Sequence, residues 1–382
     1  MKENDRKILI IASVTIIILQ YIEEVLKPLG FKVYMQESLK NINSKEYIEK
    51  LNITFIKYFE KEDNCFFKRP FFGKRLRFLC NLLYIRKYKK NNNFDYIHIH
   101  YVTKMALIQA LFAKSKNTKC YASFWGSDLL RQNESVLHGE EKYLRKFDYI
   151  STVAYFSQNR FETFYPKLKD KSKMIPFGDS LLQEIDKYYY DVEDCKKQFK
   201  FPLDKKIIAI GYNKIKEQQH LQVIQALKEN VREKEKYLIL LQLTYGSNID
   251  NTYEDTLISL IDESGFEYKI IYDYLTDEDI AKLRIATDIY INAQTTDAFS
   301  NSVKECIYTK TQIINASWLH YPEIDKYQLY LNEFCNFIDI PDLLNKPISE
   351  NGLEHNRNII KEKCMWKSCT DQWADIYGIY KE

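Results

Sequence analysis

Glycine and proline are scarce in this chain, 10 and 8 residues out of 382, which excludes collagen-like and Gly/Pro-rich low-complexity architectures. No C-x-x-C pair occurs among the eight cysteines. The two nearest, Cys364 and Cys369, have no His or second pair beside them to complete a zinc site. Scattered thiols in a chain of this size read as reduced and mostly buried. Charge of one sign is also missing: 56 Lys and Arg against 53 Asp and Glu leave a formal +3, so the whole is no polycation built for nucleic acid. Nor does any apolar run reach the ~20 residues that cross a bilayer. The one candidate, Ile8 to Leu19, is broken by Ser13 and Thr15. Lys2, Arg6 and Lys7 precede it as in a signal peptide, but no small-residue cleavage site follows. It reads as a buried first strand over 7–12, a turn, and a helix through Ile22 to Leu26 closed by Pro28 and Gly30.

What is present is the composition of a globular protein, 45% hydrophobic and 29% charged, in a length that suits about two domains. Short apolar runs alternate with helical patterns, the signature of βα units and parallel sheets. In the first half the strand candidates are 7–12, 32–35, 96–100, 120–124 and 149–153, with helical stretches such as 75–89 and 103–113 between them. The second half restarts the series at 206–210, 237–242, 268–272, 289–292 and 312–315, with helices over 219–229, 252–264, 276–286 and 302–308. The boundary is expected between Pro176 and Lys205, giving domains over 1–180 and 205–350. A last helical stretch from Asn358 to Tyr380, within 355–382, has no strand to pair with and is expected to pack back on the first domain.

In open α/β sheets ligands bind outside the carboxyl ends of the strands, and several unusual strings fall there. Phe124-Trp125-Gly126-Ser127-Asp128 ends one strand, with Gly126 permitting a tight turn that presents Asp128 at the mouth of the sheet. His98 and His100 alternate on another strand and face one side; one is expected near the site and one in the packing. Gly211 closes the strand 206–210 and leads through Asn213, Lys214 and Lys216 to His220 at a helix start, an anion-binding geometry. Thr244-Tyr245-Gly246 follows the next strand. Gln294 to Glu305 follows the strand 289–292, with Asp297 and Glu305 bracketing Ser300, Asn301 and Ser302. A plain N-cap and capping box would also use Ser300 or Ser302 with Glu305.

The order His100, Phe124–Asp128, Ile175–Asp179, Gly211–His220 and Asp297…Glu305 resembles the GT-B fold glycosyltransferases over nearly the whole chain. More narrowly it is similar to bacterial surface-polysaccharide transferases that carry a WGSD string and act on lipid-linked sugars. The resemblance implies an α/β architecture of two Rossmann-like doubly wound domains facing across a cleft, the N-terminal one for the acceptor and the C-terminal one for the nucleotide-sugar donor. It implies that Glu305 holds the donor ribose and that Asp297 takes the place of the first Glu of an E-x7-E pattern. Donor-binding residues are then Gly211, Asn213, Lys214, Lys216, His220, Tyr245, Asp297, Ser300, Asn301, Ser302 and Glu305, and acceptor-side residues Trp125, Gly126 and Ser127.

Glycosyl transfer develops negative charge on a leaving diphosphate, which a metal, cations or helix N-termini must neutralise. Asp277-Glu278-Asp279 superficially resembles a metal-binding D-x-D, but it sits at a helix start where Thr276 caps and acids suit the dipole. No metal or cofactor is therefore expected; Lys214, Lys216 and the helix beginning near Gln219 are expected to carry the leaving group. Asp128 is the first candidate for the base that activates an acceptor hydroxyl, and His100 the second. From Phe66 to Lys90 there are many cations and no acid, interleaved with Phe66, Phe67, Phe71, Phe72, Leu79 and Leu83. Such a segment suits an anionic membrane surface at roughly 1 kcal/mol per Lys or Arg, and a lipid-linked saccharide acceptor; an ordinary helix with a solvated basic face is the plainer reading. The expectation is a hexosyl-type transferase of surface polysaccharide synthesis, cytoplasmic and peripheral on the inner face of the plasma membrane, with no nucleic-acid partner. A nucleotide-sugar epimerase of the same architecture and a catalytically silent nucleotide-sugar binding module are the competing readings.

Overall fold

Ile8, Leu9 and Ile10 are fully buried, and so are Ile208, Ile210, Leu241 and Ile291. Strands apolar on both faces need cover on both faces, which only a sheet sandwiched between helices provides. A computed structural model describes residues 6–36, 45–59, 63–69, 72–246 and 252–379 of the chain. Lys2, Phe71 and Tyr380 lie outside the described residues. The chain forms two units, Met1–Gly178 with Trp366–Glu382, and Asp179–Met365.

Unit 1 is built on a seven-stranded sheet in the order β3-β2-β1-β4-β5-β6-β7. The strands are β1 (Arg6–Ile11), β2 (Phe31–Gln36), β3 (Thr54–Ile56), β4 (Tyr96–His100), β5 (Lys119–Phe124), β6 (Tyr149–Thr152) and β7 (Ser172–Met174). Unit 2 has six strands in the order β10-β9-β8-β11-β12-β13: β8 (Lys206–Ile210), β9 (Tyr237–Gln242), β10 (Glu267–Ile271), β11 (Ile289–Asn292), β12 (Gln312–Ala316) and β13 (Asn332–Phe334). Every pairing is parallel, with β1 leaning on β4 through Leu9↔Ile97 and β8 on β11 through Ala209↔Tyr290. Parallel neighbours demand crossover connections, and helices supply them on both faces. Both sheets reverse direction of build at their first strand, β1 and β8, so each has a crevice between that strand and the next one added on its other side.

Local chemistry sets the helix starts. Thr15 accepts a hydrogen bond from the Ile18 N–H at 3.4 Å, and Thr103 from the Ala106 N–H at 3.2 Å, so the chain turns from strand into helix beside the ends of β1 and β4. The units divide at Gly178 and Asp179, and the stretch that follows is helical: Leu181–Tyr188 and Val192–Gln198 both pack on the helix Asp277–Ile285 in unit 2. The chain passes between units at Gly178 and again at Met365. An added Cβ on Gly178 would lie 2.4 Å from Trp366 Cα, so only glycine lets these two passages touch.

The final helical stretch is two helices rather than one. Glu350–Cys364 packs on Asn301–Tyr308 in unit 2, Met365 is extended (φ −73°, ψ 148°), and Trp366–Ile376 belongs to unit 1. There Trp366, Trp373 and Tyr377 share a core with Ile8, Ile10 and Val33. Trp373 donates its indole N–H to the Pro176 carbonyl at 2.9 Å, satisfying its one polar group inside an apolar layer.

Candidate functional site

The ends of β1, β4 and β5 enclose a cavity of about 460 Å³ in unit 1, lined among others by Ile11, Ser13, Thr15, His100, Tyr101 and Trp125. Parallel strands put all three ends on the same edge, and Tyr101, in the left-handed region at φ +68°, turns the chain away immediately after His100. The two histidines of β4 have different fates although they share a face. His98 is absorbed in a buried network: Nδ1 pairs with the Tyr377 hydroxyl at 2.6 Å and Nε2 with the Ser123 hydroxyl at 2.7 Å. His100 is caged by Tyr21, Phe177 and Trp125 at ring separations of 4.8, 5.7 and 6.2 Å. Neither ring nitrogen of His100 has a hydrogen-bond partner among the described residues. Burial lowers its pKa to about 3, so the imidazole is neutral and offers one donor and one acceptor. Trp125 stands half-buried on the cavity wall with its indole N–H also unpartnered.

Asp128 is not at the mouth of the sheet. Its side chain is fully buried, Oδ1 accepting from the Trp125 and Gly126 N–H groups at 2.8 and 2.9 Å and Oδ2 from the Val102 N–H at 2.7 Å. Gly126 at φ +117° folds the carboxylate back under the turn instead of presenting it, which corrects the expectation of a catalytic base. Burial pushes the Asp128 carboxyl up to about 6 against the pull of those donors. Asp128 is a positioning residue, tying the loop after β4 to the loop after β5. Ser127 reaches the Tyr101 hydroxyl at 3.3 Å.

In unit 2, Gly211 at φ +62° follows β8 and brings the backbone close against the next turn: an added Cβ would lie 2.6 Å from Gln218 Oε1 and 3.0 Å from His220 Nε2. Both amide atoms of Gln218 and Nε2 of His220 are buried without partners among the described residues. The His220 Nδ1 pairs with the Tyr253 hydroxyl at 3.0 Å, and burial lowers this imidazole to about 4. Gln219 takes the left-handed conformation (φ 59°) that starts the helix His220–Asn230. Beside this turn Asn213 accepts from the Ile215 N–H at 3.1 Å, the Lys214 N–H donates to the Tyr245 carbonyl at 2.9 Å, and Lys214 Nζ lies 3.9 Å from Glu254. Lys216 and Tyr245 are exposed.

The loop after β11 is held from within. Asp297 Oδ2 accepts from the Ser300 N–H at 3.0 Å and the Tyr321 hydroxyl at 2.7 Å, and Tyr321 also takes a hydrogen bond from Asn292 at 2.8 Å. Asn301 opens the following helix, Asn301–Tyr308, with Ser300 at its N-cap position making no side-chain cap bond and its Oγ buried unpartnered. The capping box of Ser300 or Ser302 with Glu305 does not form. Glu305 is also engaged: its Oε2 is 2.9 Å from Arg284 Nε, both side chains buried, and Arg284 also donates to Ser302 Oγ at 3.2 Å and Gln242 Oε1 at 3.3 Å. It is therefore half of a buried ion pair. Behind it lies Asp179, raised by burial and then by the Glu305 charge, with Oδ2 unpartnered.

Sequence reasoning missed Arg284 and Gln218. Gln218 lay within a string already singled out, and its neighbouring glycine was the available signal; Arg284 sits in an ordinary helix with none. In the Asp277-Glu278-Asp279 string, Thr276 Oγ1 accepts from the Asp279 N–H at 3.1 Å, Lys282 pairs with Glu278 at 2.5 Å, and Asp279 accepts from Gln198 at 2.7 Å. Among the described residues no helix is long and apolar enough to cross a membrane.

The buried histidines carry a pH signature. Folding holds His220 neutral while the unfolded chain protonates it near 6.5, so its contribution to stability is complete above about 6.5 and is lost as pH falls toward 4. Relative to His220→Gln, the native chain is expected to lose about 1.4 kcal/mol per pH unit across that window. Urea titrations of both proteins at several pH values check this; parallel stability curves would sink it.

Residues 7–158 match the Glycosyl transferase 4-like family. No curated protein sequence matches the chain. A glycosyltransferase from Rickettsia africae superposes with a TM-score of 0.77 at 17% identity, covering 98% of each chain. Anabaena HepE, solved with UDP and glucose, gives 0.73 at 14% identity over 98% of this chain and 99% of that one. Sucrose-phosphate synthase from Thermosynechococcus elongatus gives 0.72 at 13% identity, covering 98% of both. The architecture is the GT-B fold, and within the N-terminal unit residues 7–158 are similar to the Glycosyl transferase 4-like family.

Proposed function

We propose that this chain is a hexosyl-type glycosyltransferase that moves a sugar from a nucleoside-diphosphate sugar to a lipid-linked saccharide in surface polysaccharide synthesis. The observation that carries the reading is the pairing of two prepared sites with buried, unpartnered polar groups: His100 at the unit 1 cavity, and Gln218 with His220 beneath Gly211 in unit 2. Burying such groups without partners costs about 1–3 kcal/mol each, a cost that a bound ligand repays. Proteins of this fold include one solved with UDP-glucose, which favours a nucleotide sugar as the donor here.

In this reading the donor lies on unit 2 and the acceptor hydroxyl enters the unit 1 cavity. The neutral His100 takes the hydrogen bond of a sugar hydroxyl there, in the place first assigned to Asp128. Trp125 supplies an aromatic wall for the sugar ring. The leaving diphosphate is neutralised by Lys214 and Lys216 with the N–H groups at the starts of the helices His220–Asn230 and Asn301–Tyr308, without a metal. Membrane attachment on the inner face rests on the helix Phe72–Asn91, which carries no acidic residue and exposes Phe72, Leu79 and Leu83 among its cations.

Thermal unfolding against UDP, GDP, dTDP, CMP and their common sugar conjugates tests this directly. A ligand at 100 times its Kd adds about 2.7 kcal/mol. One diphosphate is expected to raise the melting temperature selectively, and Lys214→Ala with Lys216→Ala to weaken the response. Release of that diphosphate on adding acceptor, unchanged by EDTA, completes the reading. Sugar interconversion without release would favour an epimerase, stabilisation with no turnover a binding module, and no stabilisation at all would overturn the donor site.

A further inference from the structure

The helix Phe72–Asn91 and the helix Lys104–Ala113 flank β4 in sequence and pack against each other. The first ends just before β4 begins, and the second starts after β4 ends and finishes just before β5 begins. Their carboxyl ends therefore meet at the amino-terminal edge of the sheet, opposite the edge that holds His100. The helix Lys104–Ala113 alone separates the two edges by about 15 Å.

At that far edge lies a second concavity of about 360 Å³, lined by Arg86, Lys89, Lys90, Asn93, Phe112 and Ser115. Three cations converge on it, and Asn93 and Ser115 add polar groups. Lys89 is held in place by the carbonyls of Lys114 and Phe112, so one ammonium is fixed at the wall rather than waving in solvent. Between Arg86 and Lys119 the only acidic residue is Asp95, and its carboxylate accepts the Lys7 N–H at 2.8 Å. Phe112 is exposed at the rim, and along the same outward face Leu79 and Leu83 are 55% and 58% exposed. At i, i+4 and i+7, Leu79, Leu83 and Arg86 lie on one stripe that leads into the concavity.

Positive charge with no ion-pair partner among the described residues, closed around a polar hollow and rimmed by apolar side chains, matches one chemistry: a phosphate carried on an acyl lipid. We propose that this concavity is a binding site for the phosphate of an anionic membrane-lipid headgroup, set apart from the catalytic edge. It rests on the membrane reading of the proposed function and makes it specific, since a diffuse basic face would hold any anionic surface, whereas a walled site selects an exposed phosphate.

Flotation of the full chain with phosphatidylcholine vesicles, with and without phosphatidic acid, tests it. Binding is expected only with phosphatidic acid. Arg86→Ala with Lys90→Ala should weaken it about 30-fold, at roughly 1 kcal/mol per cation near the surface. Lys74→Ala with Arg75→Ala removes equal charge from the other end of the same helix and should cost clearly less. Equal losses in the two double variants would make the attraction diffuse and overturn the site while leaving membrane attachment standing. No flotation of the native chain with either vesicle would overturn both. Millimolar inorganic phosphate that abolishes flotation at matched ionic strength would identify a free phosphate as occupant and overturn the lipid. Circular dichroism of both variants secures that each is folded.

Discussion

Deletion of residues 366–382 is expected to unfold unit 1 while unit 2 keeps its cooperative transition. Trp366, Trp373 and Tyr377 are no more than 1% exposed and pack on β1 and β2 through Ile8, Ile10 and Val33. Truncating one large buried aromatic costs about 3–5 kcal/mol. Losing three, about 9–15 kcal/mol, is comparable with the ~5–15 kcal/mol that holds a whole domain together. The deletion also strips partners from His98, whose Nδ1 bonds the Tyr377 hydroxyl, and from the Pro176 carbonyl. Trp373→Ala, a smaller version of the same lesion, should cost about 3–5 kcal/mol by itself. Near-UV circular dichroism with urea titration reads both. A deleted chain that still shows two full unfolding steps would mean that the sheet of unit 1 is stable without this helix.

Arg284→Ala should cost unit 2 about 3–5 kcal/mol, because it strands the Glu305 carboxylate in the interior without its counter-charge. Asp179, whose Oδ2 already lacks a partner, would then share the region with a second unopposed carboxylate. Arg284→Met combined with Glu305→Leu should recover most of the loss, since a buried pair replaced by apolar groups of similar volume is often neutral. Failure of the double variant to recover would mean that the Gln242 and Ser302 contacts of Arg284, not the ion pair, carry the effect. The same logic explains why Glu305→Ala is a poor probe of ligand binding: a lost response to nucleotide would not separate a missing contact from a loosened domain.

The central strands were readable in the residues because both their faces are buried, so 206–210, 237–242 and 289–292 stand out as runs apolar but for one terminal residue, and 96–100 as an apolar run holding two buried histidines, all with the bounds seen in the fold. The edge strands Thr54–Ile56, Ser172–Met174 and Asn332–Phe334 are three residues each. Runs that short carry no period, and their pairing is decided by the neighbour they meet. The same limit applies at the site. A string such as Trp125-Gly126-Ser127-Asp128 announces a turn at a strand end, but whether Asp128 points out or back depends on the Val102 N–H, which only the folded sheet brings within 2.7 Å. Arg284 and Glu305 are joined across two helices by burial alone, so no spacing reveals them.

The split of unit 1 into Met1–Gly178 and Trp366–Glu382 also sets an order of events during synthesis. All of Asp179–Met365 must leave the ribosome before Trp366 and Tyr377 exist, a delay on the order of 10–40 s at typical elongation rates. Throughout that interval β1 and β2 lack the aromatic layer that closes one of their faces, while the whole of unit 2 becomes available to fold. The domain that starts first is thus the one that finishes last, and its unfinished apolar face is the surface a nascent-chain chaperone would find.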